Sequence, residues 1–148
     1  MKITETFQEI APGPHTSMLP LGWFAINHSW IKDKSDRRTA FDKVYKISSK
    51  HGTIYRNIRF LPKLKGIKKN KENEVTQTPQ IMIDWSGWIT LTDVDNEKKN
   101  VELTITKANP IALFYHADSH PDPAYRHSMF IARIGLYLGI ISLILAFK

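Results

Sequence analysis

Apolar and polar positions alternate along Val44-Tyr-Lys-Ile-Ser48 and again along Thr53-Ile-Tyr-Arg-Asn-Ile-Arg-Phe60. A period of two in β-branched and aromatic residues predicts strands, and the polar link Ser49-Lys-His-Gly52 predicts a hairpin between them. Gln80 to Leu91 and Val101 to Lys107 have the same character and flank the polar stretch Asp93 to Asn100, which predicts a second hairpin. Ile111-Ala-Leu-Phe-Tyr115 reads as a further strand. Together these elements predict a mainly β domain over residues 41–116, built as a small antiparallel sheet or barrel.

The first 40 residues carry no sustained period and read as an irregular segment packing on that domain. Prolines 12, 14 and 20 interrupt them. Leu21-Gly-Trp-Phe-Ala-Ile26 suits either an added strand or a patch resting on a bilayer, and it is too short to span one. Asp33 to Thr39 reads as a charged loop or the start of a short helix.

The pattern changes completely near the end of the chain. From Met129 to Phe147, 15 of the 19 positions are apolar and one, Arg133, is charged. At ~1.5 Å per residue such a helix reaches about 28 Å, close to the ~30 Å hydrocarbon thickness of a bilayer. Residues 125–148 therefore read as a single C-terminal transmembrane helix, and residues 117–124 as a juxtamembrane linker. Asp122-Pro123 supplies a cap followed by a proline suited to the first helical position. Arg133 lies shallow enough for its stem to carry the guanidinium back to the headgroups, and Lys148 marks the far interface. The competing reading is a helix buried in the core of a soluble domain, although a helix apolar on every side is unusual in so small a domain.

Two further patterns sharpen the membrane reading. Residues 1–10 are polar and acid-bearing, unlike a secretory signal, and Arg126 and Arg133 lie on the N-terminal side of the span with only Lys148 beyond it, so residues 1–125 are expected in the cytoplasm. Ser128, Ala132, Gly135, Gly139, Ser142 and Ala146 recur at spacings of four and three, which lines the small side chains along one seam centred on a GxxxG. Close backbone approach drives helix pairing in lipid, so Ala132, Gly135, Gly139, Ser142 and Ala146 are the candidate contacts for another transmembrane helix, of a second copy or a different chain. Phe130, Ile134, Leu138, Ile141 and Leu145 face the acyl chains on the opposite side.

Composition adds exclusions. A chain of 148 residues supports one soluble domain, and zero cysteines remove disulfides, thiolate zinc sites, CxxC redox chemistry and a thiol nucleophile. There are 21 Lys+Arg against 14 Asp+Glu. From Lys43 to Lys71 there are ten basic residues and no acidic one, and Lys63, Lys65, Lys68, Lys69 and Lys71 lie in one connection. With Arg126 and Arg133 they are the candidates for anionic headgroups, or for another anionic partner. Tyr55 and Phe60 beside Arg56 and Arg59 would suit a nucleic-acid-binding module, but residues 1–125 have a net charge of only +4, which disfavours it. The plain alternative is a solvated basic loop.

His116, Asp118, His120 and Asp122 cluster before the span and have the donor chemistry for a divalent metal, the requirement of a membrane-tethered metal-dependent enzyme. Pro121 and Pro123 work against a helix through His120 and so against the HxxxH geometry, which favours a stiff linker instead. Asp84 sits among apolar neighbours; on a strand it faces water, and if buried it needs an indole N–H or an arginine. Asp93 to Glu97 resembles a calcium loop but has Lys98 and Thr104 where glycine and glutamate are required. Phosphate loops, dinucleotide fingerprints, GxSxG and HExxH do not occur, and no cofactor is expected. The reading is a non-catalytic, tail-anchored membrane protein, an accessory or assembly subunit or a homodimer, presenting a basic β domain at the cytoplasmic surface.

Overall fold

The computed structural model of the chain describes residues 2–10, 19–31, 33–41, 43–66, 68–69, 75–92 and 100–147. Lys71, Lys148 and the stretch 93–99 with its calcium-loop resemblance lie outside the described residues, as do the side chains of Lys68, Lys69 and His116. The chain divides into two compact units, residues 1–108 and 109–148.

The first unit is a closed six-stranded barrel. Its strands are β1 (Lys2–Glu9), β2 (Trp23–Ile26), β3 (Val44–Ser48), β4 (Thr53–Phe60), β7 (Gln80–Ile83) and β8 (Asn100–Lys107); β5 (Lys68–Lys69) and β6 (Val75–Gln77) form a separate two-stranded sheet. The order around the barrel is β1-β7-β2-β4-β3-β8, with β1/β7 and β2/β4 parallel and the other four pairings antiparallel. Closure gives every barrel strand a neighbour on each side, with the shortest seam at β1/β7, where Gln8 pairs with Gln80 and Glu9 with Ile81. Strict alternation points Ile3 and Phe7, Tyr45 and Ile47, Ile54 and Ile58, and Leu103 and Ile105 into one core. β2 and β7 are apolar at consecutive positions because both faces are covered: Phe24, Ile26, Ile81 and Ile83 join the interior, while Ala25 and Met82 pack with Leu64 outside it.

The predicted β3–β4 hairpin forms, with Ser48 opposite Thr53. The second predicted hairpin does not: β7 pairs with β1 and β2, and β8 with β1 and β3. The strand expected over Gln80–Leu91 ends at Ile83 because Asp84 caps a helix, α2 (Trp85–Leu91), accepting from the Gly87 N–H at 3.0 Å and the Ser86 hydroxyl at 2.6 Å. Gly87 lets α2 close on the barrel. A Cβ there would lie 2.8 Å from Ile83 Cγ2 and 2.9 Å from Ile54 Cδ1, so a side chain would force these neighbours or the helix to shift. The first 40 residues supply β1, β2, a 3-10 turn at His28–Trp30 and the start of α1 (Lys34–Phe41). Leu21–Ile26 is thus largely a barrel strand, and Asp33–Thr39 opens a helix. Ala40 of α1 joins the core together with Trp88 and Leu91 of α2, so both helices pack on the barrel.

The second unit holds α3 (Pro110–His116), a 3-10 turn (Ala117–Ser119) and α4 (Pro123–Ala146). The strand expected at Ile111–Tyr115 is instead helical: Asn109 accepts from the Ile111 N–H at 2.9 Å and Pro110 occupies the first turn, a start signal that outweighs an apolar run of five residues.

Candidate functional site

α4 has 24 residues, which at ~1.5 Å each is about 36 Å of helix. Its start is fixed as the sequence predicts, with Pro123 in the first turn and the Asp122 carboxylate accepting from the Ala124 N–H at 2.9 Å. Among the described residues it is the one helix long and apolar enough to cross a membrane. No residue of α4 is buried. That separates it from a core helix, whose apolar surface would be covered by the chain's own fold. Phe130, Leu138, Ile141 and Leu145 are all exposed, and Gly135 and Gly139 open onto empty space: a Cβ at either would meet nothing within 4 Å.

Arg133 is the exception on this surface. It sits on Asp118, Nη1 to Oδ2 at 2.7 Å, its Nη2 donates to the Phe114 carbonyl, and its guanidinium lies 5.1 Å over the Phe114 ring centroid. Its charge is therefore met within the chain rather than directed outward as a free cation. His120 and Asp122 of the juxtamembrane cluster are also engaged locally. His120 Nδ1 accepts from the Asp122 N–H at 3.1 Å, and its ring stacks on Tyr125 with centroids 4.2 Å apart. Asp122 caps α4. Among the described residues, no three metal-capable side chains come together.

The first part of the basic connection, residues 62–66, is held by hydrogen bonds. Buried Asn27 donates from Nδ2 to the carbonyls of Leu64 at 2.5 Å and Pro62 at 3.2 Å, while its Oδ1 accepts from the Ser29 N–H at 2.7 Å. Lys65 exchanges bonds with Gln80, accepting from the Gln80 N–H at 2.8 Å and donating its own N–H to Gln80 Oε1 at 2.9 Å. Leu64 is buried beneath, so Lys63 and Lys65 project from a fixed backbone. Arg126 is exposed on α4.

Two features of the barrel were not assembled from the sequence. Arg56 shares the inward face of β4 with Ile54 and Ile58, is only 3% exposed, and grips Asp84 through Nε at 2.6 Å and Nη2 at 3.0 Å, while Nη1 donates to the Tyr55 carbonyl at 2.9 Å. Burial alone would raise the Asp84 carboxyl, but the bonds from Arg56, Ser86 and the Gly87 N–H outweigh it and hold the group below the ordinary carboxylate range. All three Arg56 nitrogens and both Asp84 oxygens are satisfied, which makes the pair a brace between β4 and α2. A cavity of about 580 Å³ lies beside α1, with Asp33, Asp36, Lys43 and Lys107 around Trp30 and Tyr45. Burial pushes the Tyr45 hydroxyl up, so it stays neutral. All of these but Lys107 lie within residues 30–45, and the pairing of Tyr45 with Lys107 between β3 and β8 brings in the last.

No family model, no curated protein and no solved structure matches the chain. The functional reading therefore stands on the geometry above.

Proposed function

We propose that the chain is a non-catalytic, single-pass membrane protein that presents a basic β-barrel at the cytoplasmic surface, as an accessory or assembly subunit of a membrane complex or as a homodimer. The observation that carries this reading is α4: 24 residues, apolar on every side and with no residue buried. An apolar helix left uncovered by its own fold needs another apolar medium, and its length suits a bilayer. Positive residues at 126 and 133 support an N-terminal domain on the cytoplasmic side. Lys63, Lys65, Lys68, Lys69, Lys71 and Arg126 supply the charge facing anionic headgroups, while Arg133 is matched by Asp118.

The open faces of Gly135 and Gly139 support a helix partner along Ala132, Gly135, Gly139, Ser142 and Ala146. The full-length chain is expected in the membrane fraction after alkaline washing, and recovery in the soluble fraction without detergent would overturn the reading. In a membrane two-hybrid assay Gly139→Ile is expected to weaken association. Unchanged association would leave α4 as an anchor without a pairing role.

A further inference from the structure

A span of about 20 residues ending at Phe147 begins near Ser128, which puts Arg133 roughly 8 Å inside the apolar layer. On a lone helix such an arginine would reach up to the headgroups, where the phosphate of phosphatidylglycerol carries a free negative charge and that of phosphatidylcholine is already offset by its choline. Side chains on a helix lean toward its N terminus, and here that direction leads to the segment before α4. Three electron-rich groups converge on the guanidinium: the Asp118 carboxylate at 2.7 Å, the Phe114 carbonyl, and the Phe114 ring at 5.1 Å. The carbonyl belongs to the last turn of α3, where backbone oxygens lack helical partners and the helix dipole is negative.

α3 itself is Pro110-Ile-Ala-Leu-Phe-Tyr-His116, without an acidic or permanently basic residue, and Ile111 is 67% exposed. At about 10 Å it is too short to cross a bilayer, and an apolar helix of that size is suited to the boundary between headgroups and acyl chains. The Asp118 side chain is 65% exposed, so the carboxylate reaches Arg133 while still open to the polar side of that boundary.

We propose that residues 109–122 form an interfacial arm of the membrane anchor, with α3 lying in the headgroup boundary and Asp118 taking the place of a net-anionic lipid headgroup as counter-ion to Arg133. This rests on the reading of α4 as a membrane span. Its consequence is that α4 inserts without requiring anionic lipid, because the anion travels with the chain.

The absence of cysteine allows single-site probes. The full chain carrying an environment-sensitive fluorophore on Ile144→Cys is mixed with vesicles of phosphatidylcholine alone, or of phosphatidylcholine with phosphatidylglycerol. The probe is expected to enter an apolar environment equally in both. Adding Asp118→Asn is expected to lower insertion into phosphatidylcholine alone by about tenfold, the scale set by an uncompensated arginine in a span, while leaving insertion into the anionic vesicles near the parent level. Adding Arg133→Leu to Asp118→Asn is expected to restore insertion in the neutral lipid. A fluorophore on Ile111→Cys is expected to be quenched by shallow nitroxide lipids and spared by deep ones. The proposal falls if Asp118→Asn inserts into neutral vesicles like the parent, or if the Ile111→Cys probe stays aqueous while the Ile144→Cys probe inserts. An Ile144→Cys probe that stays aqueous in both lipids overturns the membrane reading itself, and the arm with it.

Discussion

Each unit of this chain places an arginine beside an aspartate, but the two pairs differ in what surrounds them. In the barrel, the side chains of Arg56 and Asp84 are 3% and 12% exposed, and the core that encloses them is folded from the chain's own strands and α2. In the helical unit, the side chains of Arg133 and Asp118 are 18% and 65% exposed, on a helix that buries none of its residues. The first pair is therefore coupled to folding: it forms when the barrel closes, and it is lost when the barrel opens. The second is coupled, under the proposed function, to a medium outside the protein. A charge-pair variant should accordingly change protein stability in one unit and lipid dependence in the other.

The largest expected effect is in the barrel. Arg56→Met leaves the Asp84 carboxylate in a nearly closed site without its cation, which is expected to cost about 3–5 kcal/mol of barrel stability. Denaturant unfolding followed by tryptophan fluorescence measures it, and membrane recovery of the full chain should not change. Arg56→Met combined with Asp84→Ser keeps a capping oxygen for α2 and removes the stranded charge, so it should recover much of the loss. A loss below about 1 kcal/mol in the single variant would place the pair among weak surface contacts and erase the contrast between the units.

The same pair gives the barrel a pH dependence of known sign. Asp84 in the folded chain lies below the ordinary carboxylate range, so the folded state favours its ionised form. That stability is complete above the unfolded carboxyl value, near pH 4, and is lost as pH falls through the lower folded value. Midpoints of thermal unfolding should therefore drop more steeply below about pH 4 in the parent than in the Arg56→Met, Asp84→Ser variant. Parallel curves for the two would remove Asp84 as the group responsible.

How much of this was legible beforehand follows from the range of each interaction. The β3–β4 hairpin and the start of α4 depend on neighbouring residues, and alternation, Asp122 and Pro123 announce them in the sequence. α2 and α3 depend on one capping residue each. Asp84 and Asn109 were overshadowed by apolar neighbours that suit a strand as well as a helix, although Asn109-Pro110 is a start signal of the same kind as Asp122-Pro123. A mainly β domain built as a small sheet or barrel was legible, but its strand order was not, because the parallel pairs, β1 with β7 and β2 with β4, join segments far apart in the chain. Arg56 shows the limit well: its position on β4 was predicted, its inward direction follows from alternation with Ile54 and Ile58, and only α2 explains why a cation is tolerated there. The partners of Arg133 were hidden for a similar reason, since Phe114 and Asp118 face it only once α3 is helical.

A smaller effect is expected where the barrel positions its basic loop. Asn27→Ala removes the donor shared by the Pro62 and Leu64 carbonyls and the acceptor for the Ser29 N–H, at an expected cost of about 1–3 kcal/mol. Hydrogen exchange at Lys65 and Gly66 should rise ahead of exchange in β4. If both rise together, the loop and the barrel open as one unit and Asn27 is simply part of the core.

The smallest effect separates the units most directly, because it concerns charge without burial. Lys63 and Lys65 are exposed on a fixed backbone, so an anionic bilayer near them gains about 1 kcal/mol from each, or roughly fivefold in binding per lysine. Residues 1–108, a compact unit with its own core, should cosediment with phosphatidylglycerol vesicles at low salt, and Lys63→Gln with Lys65→Gln should weaken this step by step. Raising salt to about 1 M shortens the screening length to ~3 Å and should erase the difference between parent and variant. Membrane retention of the full chain through α4 should survive the same salt, since apolar burial is not screened. Equal vesicle binding by parent and variant at low salt would leave the loop merely solvated, and the barrel would then owe its place at the membrane to α4 alone.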